Sequence, residues 1–112
     1  MLKENTYITA FLEYLFLEKS YSKHTITAYR SDLVAFKDFC VVNYNQENLT
    51  AIKYGQVRNW VVSLVAADIS NNTINRKVSS LKSFYKFLQK TSQIESNPLS
   101  NHKALKVAKK VQ

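Results

Sequence analysis

The stretch SNNTINRKVSSLKSFYKFLQK, residues 70–90, combines an apolar stripe with a strip of positive charge. Its apolar residues recur in steps of four and three, which places them on one face of an α-helix. They are Ile74, Val78, Leu81, Tyr85 and Leu88. The cations Arg76, Lys77, Lys82, Lys86 and Lys90 are interspersed with Asn72, Thr73, Asn75, Ser79 and Ser83, and no acid is present. The stretch therefore predicts a helix with a buried face and a cationic face suited to nucleic acid phosphates.

The composition around this stretch predicts a single all-α domain. A chain of 112 residues has the length of one domain, and 46% apolar residues suffice for one core. One Gly and one Pro leave little turn chemistry for an all-β fold. The single cysteine, Cys40, excludes an internal disulfide and a cysteine-rich metal site. It falls on an apolar helix face, where we expect a buried structural thiol.

The net charge of +8 is concentrated near the end of the sequence. Residues 70–112 hold nine of the 16 cations, and Glu95 is their only acid. Such local excess favours a polyanionic partner over a merely basic protein. No run of 18 apolar residues and no signal pattern is present. We therefore expect a cytoplasmic, nucleoid-associated bacterial protein with no membrane partner.

Periodicity and capping residues predict four helices. They span residues 6–18, 23–43, 55–67 and 71–90. Ser22 and Ser70 are the expected N-caps of the second and fourth helices. The first helix is capped by Asn5 or Thr6 and is apolar on more than one side, so that it packs against several neighbours or meets another molecule.

The third helix and the loop before it are predicted to serve as scaffold. Trp60 and Val65 are expected in the core, although an exposed Trp60 could stack on a base. In the loop of residues 44–54, Leu49 and Ile52 are expected to fold back onto the core. Thr50 is expected to cap a short turn there.

The second and fourth helices share a repeat at an offset of 48 residues. The pattern S-x-x-T-I-x6-L-x-x-F-x-x-F begins at Ser22 and again at Ser70. Helix N-termini offer free N–H groups and a positive dipole end, which suit phosphate. Cations lie within the first two turns of both copies; they are Lys23, Arg30, Arg76 and Lys77. The two helix starts are therefore candidates to bracket a duplex backbone, although each serine also serves as an ordinary cap.

The stretches HTITAYRSDL, NTINRKVSSLKSFYKFL and IESNPLS resemble the N-terminal core-binding domain of tyrosine recombinases, the Xer-type and phage-integrase group. The resemblance covers about residues 8–110. It implies a SAM-like four-helix bundle, orthogonally packed, in residues 1–102. A basic linker over residues 103–112 would lead to a catalytic domain. It also implies that double-stranded DNA is the partner, clamped through helices 2 and 4, and that protomers assemble as a tetramer, with helix 1 in their contacts.

The resemblance also assigns residues to the DNA face. On helix 2 they are Thr25, Tyr29 and Arg30, and on helix 4 they are Thr73, Arg76, Ser79, Lys82 and Ser83. The cationic strip of helix 4 adds Asn72, Lys77 and Lys86, and the start of helix 2 adds Lys23. The family often has two Arg where this chain has Lys82 and Ser83. Lys lacks the planar fork that reads guanine, so phosphate contact is expected at Lys82.

The chain lacks the catalytic pattern that the resemblance would supply elsewhere. The family's C-terminal domain uses Arg, Lys, His and a Tyr nucleophile, whereas all seven Tyr here precede residue 86. No Gly-rich phosphate loop, carboxylate pair or metal-ligand cluster is present, so no cofactor and no small-molecule substrate are expected. The prediction is a DNA-binding domain without catalysis. A helical protein–protein module and an RNA-binding helical domain remain the alternatives.

Overall fold

The computed structural model describes residues 5–106, and within that range the chain forms four α-helices and no strand. The helices are α1 (Thr6–Leu17), α2 (Lys23–Tyr44), α3 (Tyr54–Ala66) and α4 (Asn71–Lys90), with a 3₁₀ turn at Leu49–Ala51 between α2 and α3. These bounds match the predicted helices to within one residue at each end. The all-α, four-helix prediction is therefore confirmed.

Side-chain caps fix the starts of three helices at the expected positions. The Asn5 side chain accepts hydrogen bonds from the first turn of α1, while Ser22 and Ser70 cap α2 and α4. The prediction for Thr50 was wrong. Asn48 caps the 3₁₀ turn, and its Oδ1 accepts from the Thr50 amide at 3.0 Å. Asparagine two residues earlier has the side-chain length to close this turn.

The core is built from the predicted stripes. Every stripe residue of α4 is buried, and α1 buries Ile8, Phe11, Leu12 and Leu15. Phe11 packs edge-on against Phe84, with ring centroids 5.6 Å apart, and so joins α1 to α4. Trp60 is 2% exposed and packs edge-on against Phe36, which confirms its core position.

Two buried polar groups need explanation in this core. The Tyr85 hydroxyl donates to the Leu49 carbonyl at 2.9 Å, which ties the loop to α4. Cys40 is fully buried, as predicted, and burial raises the pKa of its thiol to about 11. A neutral thiol inside an apolar core fits the structural role expected of it.

Some apolar residues lie on the surface. Val65 was predicted to be buried, but it is 49% exposed, because it lies at the end of α3, one turn beyond the last buried residue of that helix, Val61. Phe16 and Leu17 are 52% and 71% exposed at the end of α1. This agrees with the expectation that α1 is apolar on more than its core-facing side.

After α4 the chain returns along the surface of α3 and α4. Leu99 is buried, and Leu105 is partly buried against the core. Residues 103–106, predicted to belong to a linker, are thus in contact with the helices, while residues 107–112 of that linker lie outside the described range. The boundary after residue 102 stays a prediction.

Candidate nucleic-acid interface

The starts of α2 and α4 have the same local geometry. In α2 the Ser22 hydroxyl accepts from the Thr25 amide at 3.2 Å, and the two hydroxyls lie 3.0 Å apart. In α4 the Ser70 hydroxyl accepts from the Thr73 amide at 3.2 Å and donates to the Thr73 hydroxyl at 2.9 Å. The repeated sequence therefore produces a repeated cap. Each cap hydroxyl accepts from the amide three residues later. The amides of the two residues in between have no partner within the helix and can donate to an anion.

The predicted DNA-facing residues all lie outside the core. Lys23, Thr25, Arg30, Asn72, Arg76, Ser79, Lys82 and Lys86 are exposed, while Tyr29, Thr73, Lys77 and Ser83 are half-buried. The last four residues are half-buried because they lie at the edges of the buried stripes. The cationic face of α4 is thus present on the surface, opposite its buried face.

A cleft between α2 and α4 brings part of this set together. It has a volume of about 390 Å³ and is lined by His24, Thr25, Ala28, Tyr29, Arg76, Ser79 and Ser80. Four of the predicted residues therefore share one concave surface. Its lining mixes a guanidinium with hydroxyl and imidazole groups, which can donate hydrogen bonds to phosphate oxygens.

Other predicted residues lie elsewhere on the surface. Lys23 and Arg30 line a groove between α1 and α2. Ser83 and Lys86 line a pocket where α1 and α4 meet, and Tyr29 lies between this pocket and the cleft because it lines both. The predicted set therefore spreads from the α1–α2 groove across the cleft to the far half of α4.

Asp32 holds the cationic residues beside the cleft, a role that was not among the predictions. It is 1% exposed, and both its carboxylate oxygens are occupied. Arg76 donates from Nη1 at 2.8 Å and from Nη2 at 3.3 Å, so the pair is bidentate. Lys77 Nζ donates at 3.4 Å, and the Ser80 hydroxyl donates at 2.7 Å.

This network changes the electrostatics predicted for the start of α4. One carboxylate neutralises one of two cations, so Asp32, Arg76 and Lys77 together carry a charge of +1. The Arg76 side chain remains 53% exposed, whereas that of Lys77 is 20% exposed. Arg76 can therefore contact a phosphate with the exposed side of its guanidinium while the other side is bound to Asp32. Lys77 mainly contributes to binding Asp32.

The returning segment, residues 99–106, is held on α4 by asparagines. Asn75 donates to the Leu105 carbonyl and accepts from the Leu105 amide, both at 2.9 Å. Asn71 donates to the Lys106 carbonyl at 2.9 Å. Asn75 had been placed on the DNA-facing strip, and in the structure its amide is engaged by the protein's own backbone.

His102 fixes the other part of this segment. Its Nδ1 lies 3.1 Å from the Tyr54 hydroxyl, at the start of α3. Burial and the positive charge of Lys82 lower the pKa of the imidazole. A neutral His102 therefore sits beside the α4 cations without adding to their charge.

Two features that other functions require are missing from residues 5–106. No group of His, Cys and carboxylate residues in this range could hold a metal ion. None of its helices has the length and apolar character needed to cross a membrane.

A cationic face on one of two similarly capped helices is a feature that helical nucleic-acid-binding domains share. The family model for the phage integrase N-terminal SAM-like domain matches residues 8–91. The chain belongs to this family, which confirms the resemblance seen in the sequence.

Curated relatives agree with this membership. Tyrosine recombinase XerC of Oceanobacillus iheyensis is 38% identical over 92 residues, covering 82% of this chain and 30% of the relative. XerC of Listeria innocua is 36% identical over 104 residues, covering 89% and 33%. XerC of Rickettsia canadensis is 32% identical over 108 residues, covering 91% and 35%. The chain thus spans about a third of the length of these relatives. No solved structure gave a significant match.

Proposed function

We propose that this chain is the DNA-binding domain of a site-specific tyrosine recombinase and that it holds duplex DNA through α2 and α4. The observation that carries the proposal is the exposed cationic face of α4, set beside the matching capped start of α2. Family membership and the name shared by the relatives support it. The catalytic step would belong to residues of the recombinase outside this chain, and no cofactor is required for binding.

Most contacts should be to phosphate. A helix of 20 residues is about 30 Å long at ~1.5 Å per residue, so only part of α4 can enter a groove. Lys82, Lys86 and Lys23 are exposed cations that suit backbone contact, and the Asp32, Arg76 and Lys77 network adds one further positive charge, with Arg76 exposed. Neutralising about four phosphates gives a slope of log K against log salt of about −4.

Fluorescence anisotropy with a labelled duplex tests the proposal. Replacing Lys82 with Gln should weaken binding to all duplexes alike and make the salt slope shallower by about 0.9. The matched control is Lys53→Gln, which removes an exposed lysine at the start of α3. If both variants bind as the parent does, or if the parent binds duplex without salt dependence, DNA binding through α4 is refuted.

We also propose that α1 contributes to contacts between protomers on DNA. The groove between α1 and α2 has a volume of about 790 Å³, and Phe16 and Leu17 border it with exposed apolar surface. Exposed apolar patches of this kind mark interaction sites. Sedimentation of the full recombinase on its DNA should show loss of the tetramer in Phe16→Ser. Retention of the tetramer would refute the role of α1.

A further inference from the structure

A pocket at the junction of α1, α2 and α4 is lined by lysine and tyrosine side chains. The sequence analysis did not predict that these residues lie together. Its volume is about 380 Å³, within the range of small-ligand sites. Its lining includes Lys19, Lys86 and Lys90, and Tyr14, Tyr21 and Tyr29, and contains no acid. Lys19 comes from the turn after α1, and Lys86 and Lys90 come from the second half of α4, far away in sequence.

The positive charge of this pocket comes from its three lysines. Within the part of the chain that the structure describes, none of the three is paired with a carboxylate. Lys19 and Lys90 instead lie over the Tyr14 ring, with Nζ at 5.9 Å and 5.5 Å from the ring centroid. Three ammonium groups around one concavity repel each other unless an anion lies between them. The pocket is therefore suited to a negatively charged group.

The aromatic residues add a second requirement on the ligand. Tyr21 and Tyr29 are stacked with an interplanar angle of 18° and a centroid distance of 6.1 Å. Tyr21 is 38% exposed, so part of this stack is open to a further ring. Aromatic side chains beside cations are the means by which proteins hold unstacked bases and their phosphates. A simple anion would use the lysines but would leave the tyrosines unexplained.

The pocket also adjoins the proposed DNA face. Ser83 and Lys86 line it from α4, and Tyr29 lines both the pocket and the α2–α4 cleft. A strand that follows the cleft can thus enter the pocket without leaving the protein surface. The pocket lies at one end of the duplex site.

We propose that this pocket binds one unpaired nucleotide of a DNA strand, with its base on the Tyr21 ring and its phosphate between Lys19 and Lys90. The inference rests on the proposed DNA binding and adds to it a site for single-stranded DNA next to the duplex. The tyrosines supply stacking that is indifferent to base identity, and the lysines supply charge.

Three labelled probes isolate the base in an anisotropy experiment with the full chain. They are a blunt duplex, the same duplex with a five-thymidine tail, and the same duplex with a five-residue abasic tail of equal charge. The thymidine tail should bind about 5- to 100-fold more tightly than the abasic tail. Tyr21→Leu should remove this difference and leave the blunt-duplex affinity unchanged.

Two further variants keep the result interpretable. Tyr44→Leu removes a tyrosine of similar exposure, 37%, at the far end of α2, and should keep the preference for thymidine. Lys19→Gln should weaken both tailed probes by similar factors. Equal affinities of the parent for the two tails, with the blunt duplex still bound, would overturn the nucleotide site and leave the duplex proposal intact. Absence of duplex binding would instead overturn the proposed function.

Discussion

Replacing Asp32 with Asn should strongly destabilise the domain, because one nearly isosteric change removes the anion around which four donors are arranged. The substitution keeps one carbonyl oxygen but turns an NH₂ group toward Arg76, Lys77 or Ser80, all of which donate to Asp32. Breaking a fully buried ion pair costs roughly 3–5 kcal/mol. Since the Arg76 side chain is 53% exposed and can be rehydrated, we expect about 2–3 kcal/mol.

The assay is thermal unfolding followed by circular dichroism. For a domain of this size, 1 kcal/mol corresponds to about 4 °C, so Tm should fall by about 8–12 °C. Asp38→Asn is the matched control, since Asp38 is an exposed carboxylate on the same helix. A double-mutant cycle with Arg76→Ala should show coupling between the two residues. Equal Tm values for Asp32→Asn and Asp38→Asn, or additive effects in the cycle, would refute the network as a source of stability.

Three further predictions concern the loop tether and the returning segment. Asn75→Ala should remove both hydrogen bonds to Leu105, at a cost of about 1–2 kcal/mol to the attachment of the segment, seen as faster amide exchange at Leu105. Tyr85→Phe should leave the buried Leu49 carbonyl without its donor and lower the free energy of unfolding in urea by about 1–3 kcal/mol. Because the pKa of His102 is lowered by burial and by a nearby lysine, its neutral form favours the folded state above pH 6.5. This stability should be lost as the pH falls below 6.5, and the Tm advantage of the parent over His102→Gln should shrink accordingly.

Each of these has an outcome that would contradict it. Unchanged exchange at Leu105 in Asn75→Ala, relative to an Asn72→Ala control, would show that the segment is held by other contacts. Equal urea midpoints for Tyr85→Phe and Tyr21→Phe, a change at a tyrosine that is 38% exposed, would show that the loop tether does not contribute to stability. A constant Tm difference between the parent and His102→Gln from pH 7 to pH 5 would show that protonation of His102 does not affect the stability of the fold.

Local patterns in the sequence were enough to predict the helices and most of the core. The serine caps and the steps of three and four in α4 depend on residues within one turn of each other, so they can be recognised without knowledge of the tertiary structure. Val65 shows the limit of this reasoning. An apolar residue at a helical period was expected to be buried, but Val65 lies at the end of α3, beyond the part of that helix that packs in the core.

The site was less predictable, since its central group depends on contacts between distant residues. Asp32 was not among the predicted site residues, and its partners follow 44 to 48 residues later on α4. One signal was available: Ser80 is the residue that the repeat places opposite Asp32, at the offset of 48. The lysine and tyrosine pocket could not be predicted either, because Lys19 and Tyr21 lie in the turn between the first two predicted helices, to which no function was assigned.

The same offset extends beyond the two helices in which it was found. Moving α1 and α2 forward by 48 residues places their first residues on those of α3 and α4 and their last residues within two. It also maps Ser20 onto Asp68, both of which have positive φ angles, 55° and 62°. The domain is therefore built from two helical hairpins of similar length and spacing, α1 with α2 and α3 with α4. The second hairpin carries the five-cation face of α4, and the first supplies the buried acid that steadies it.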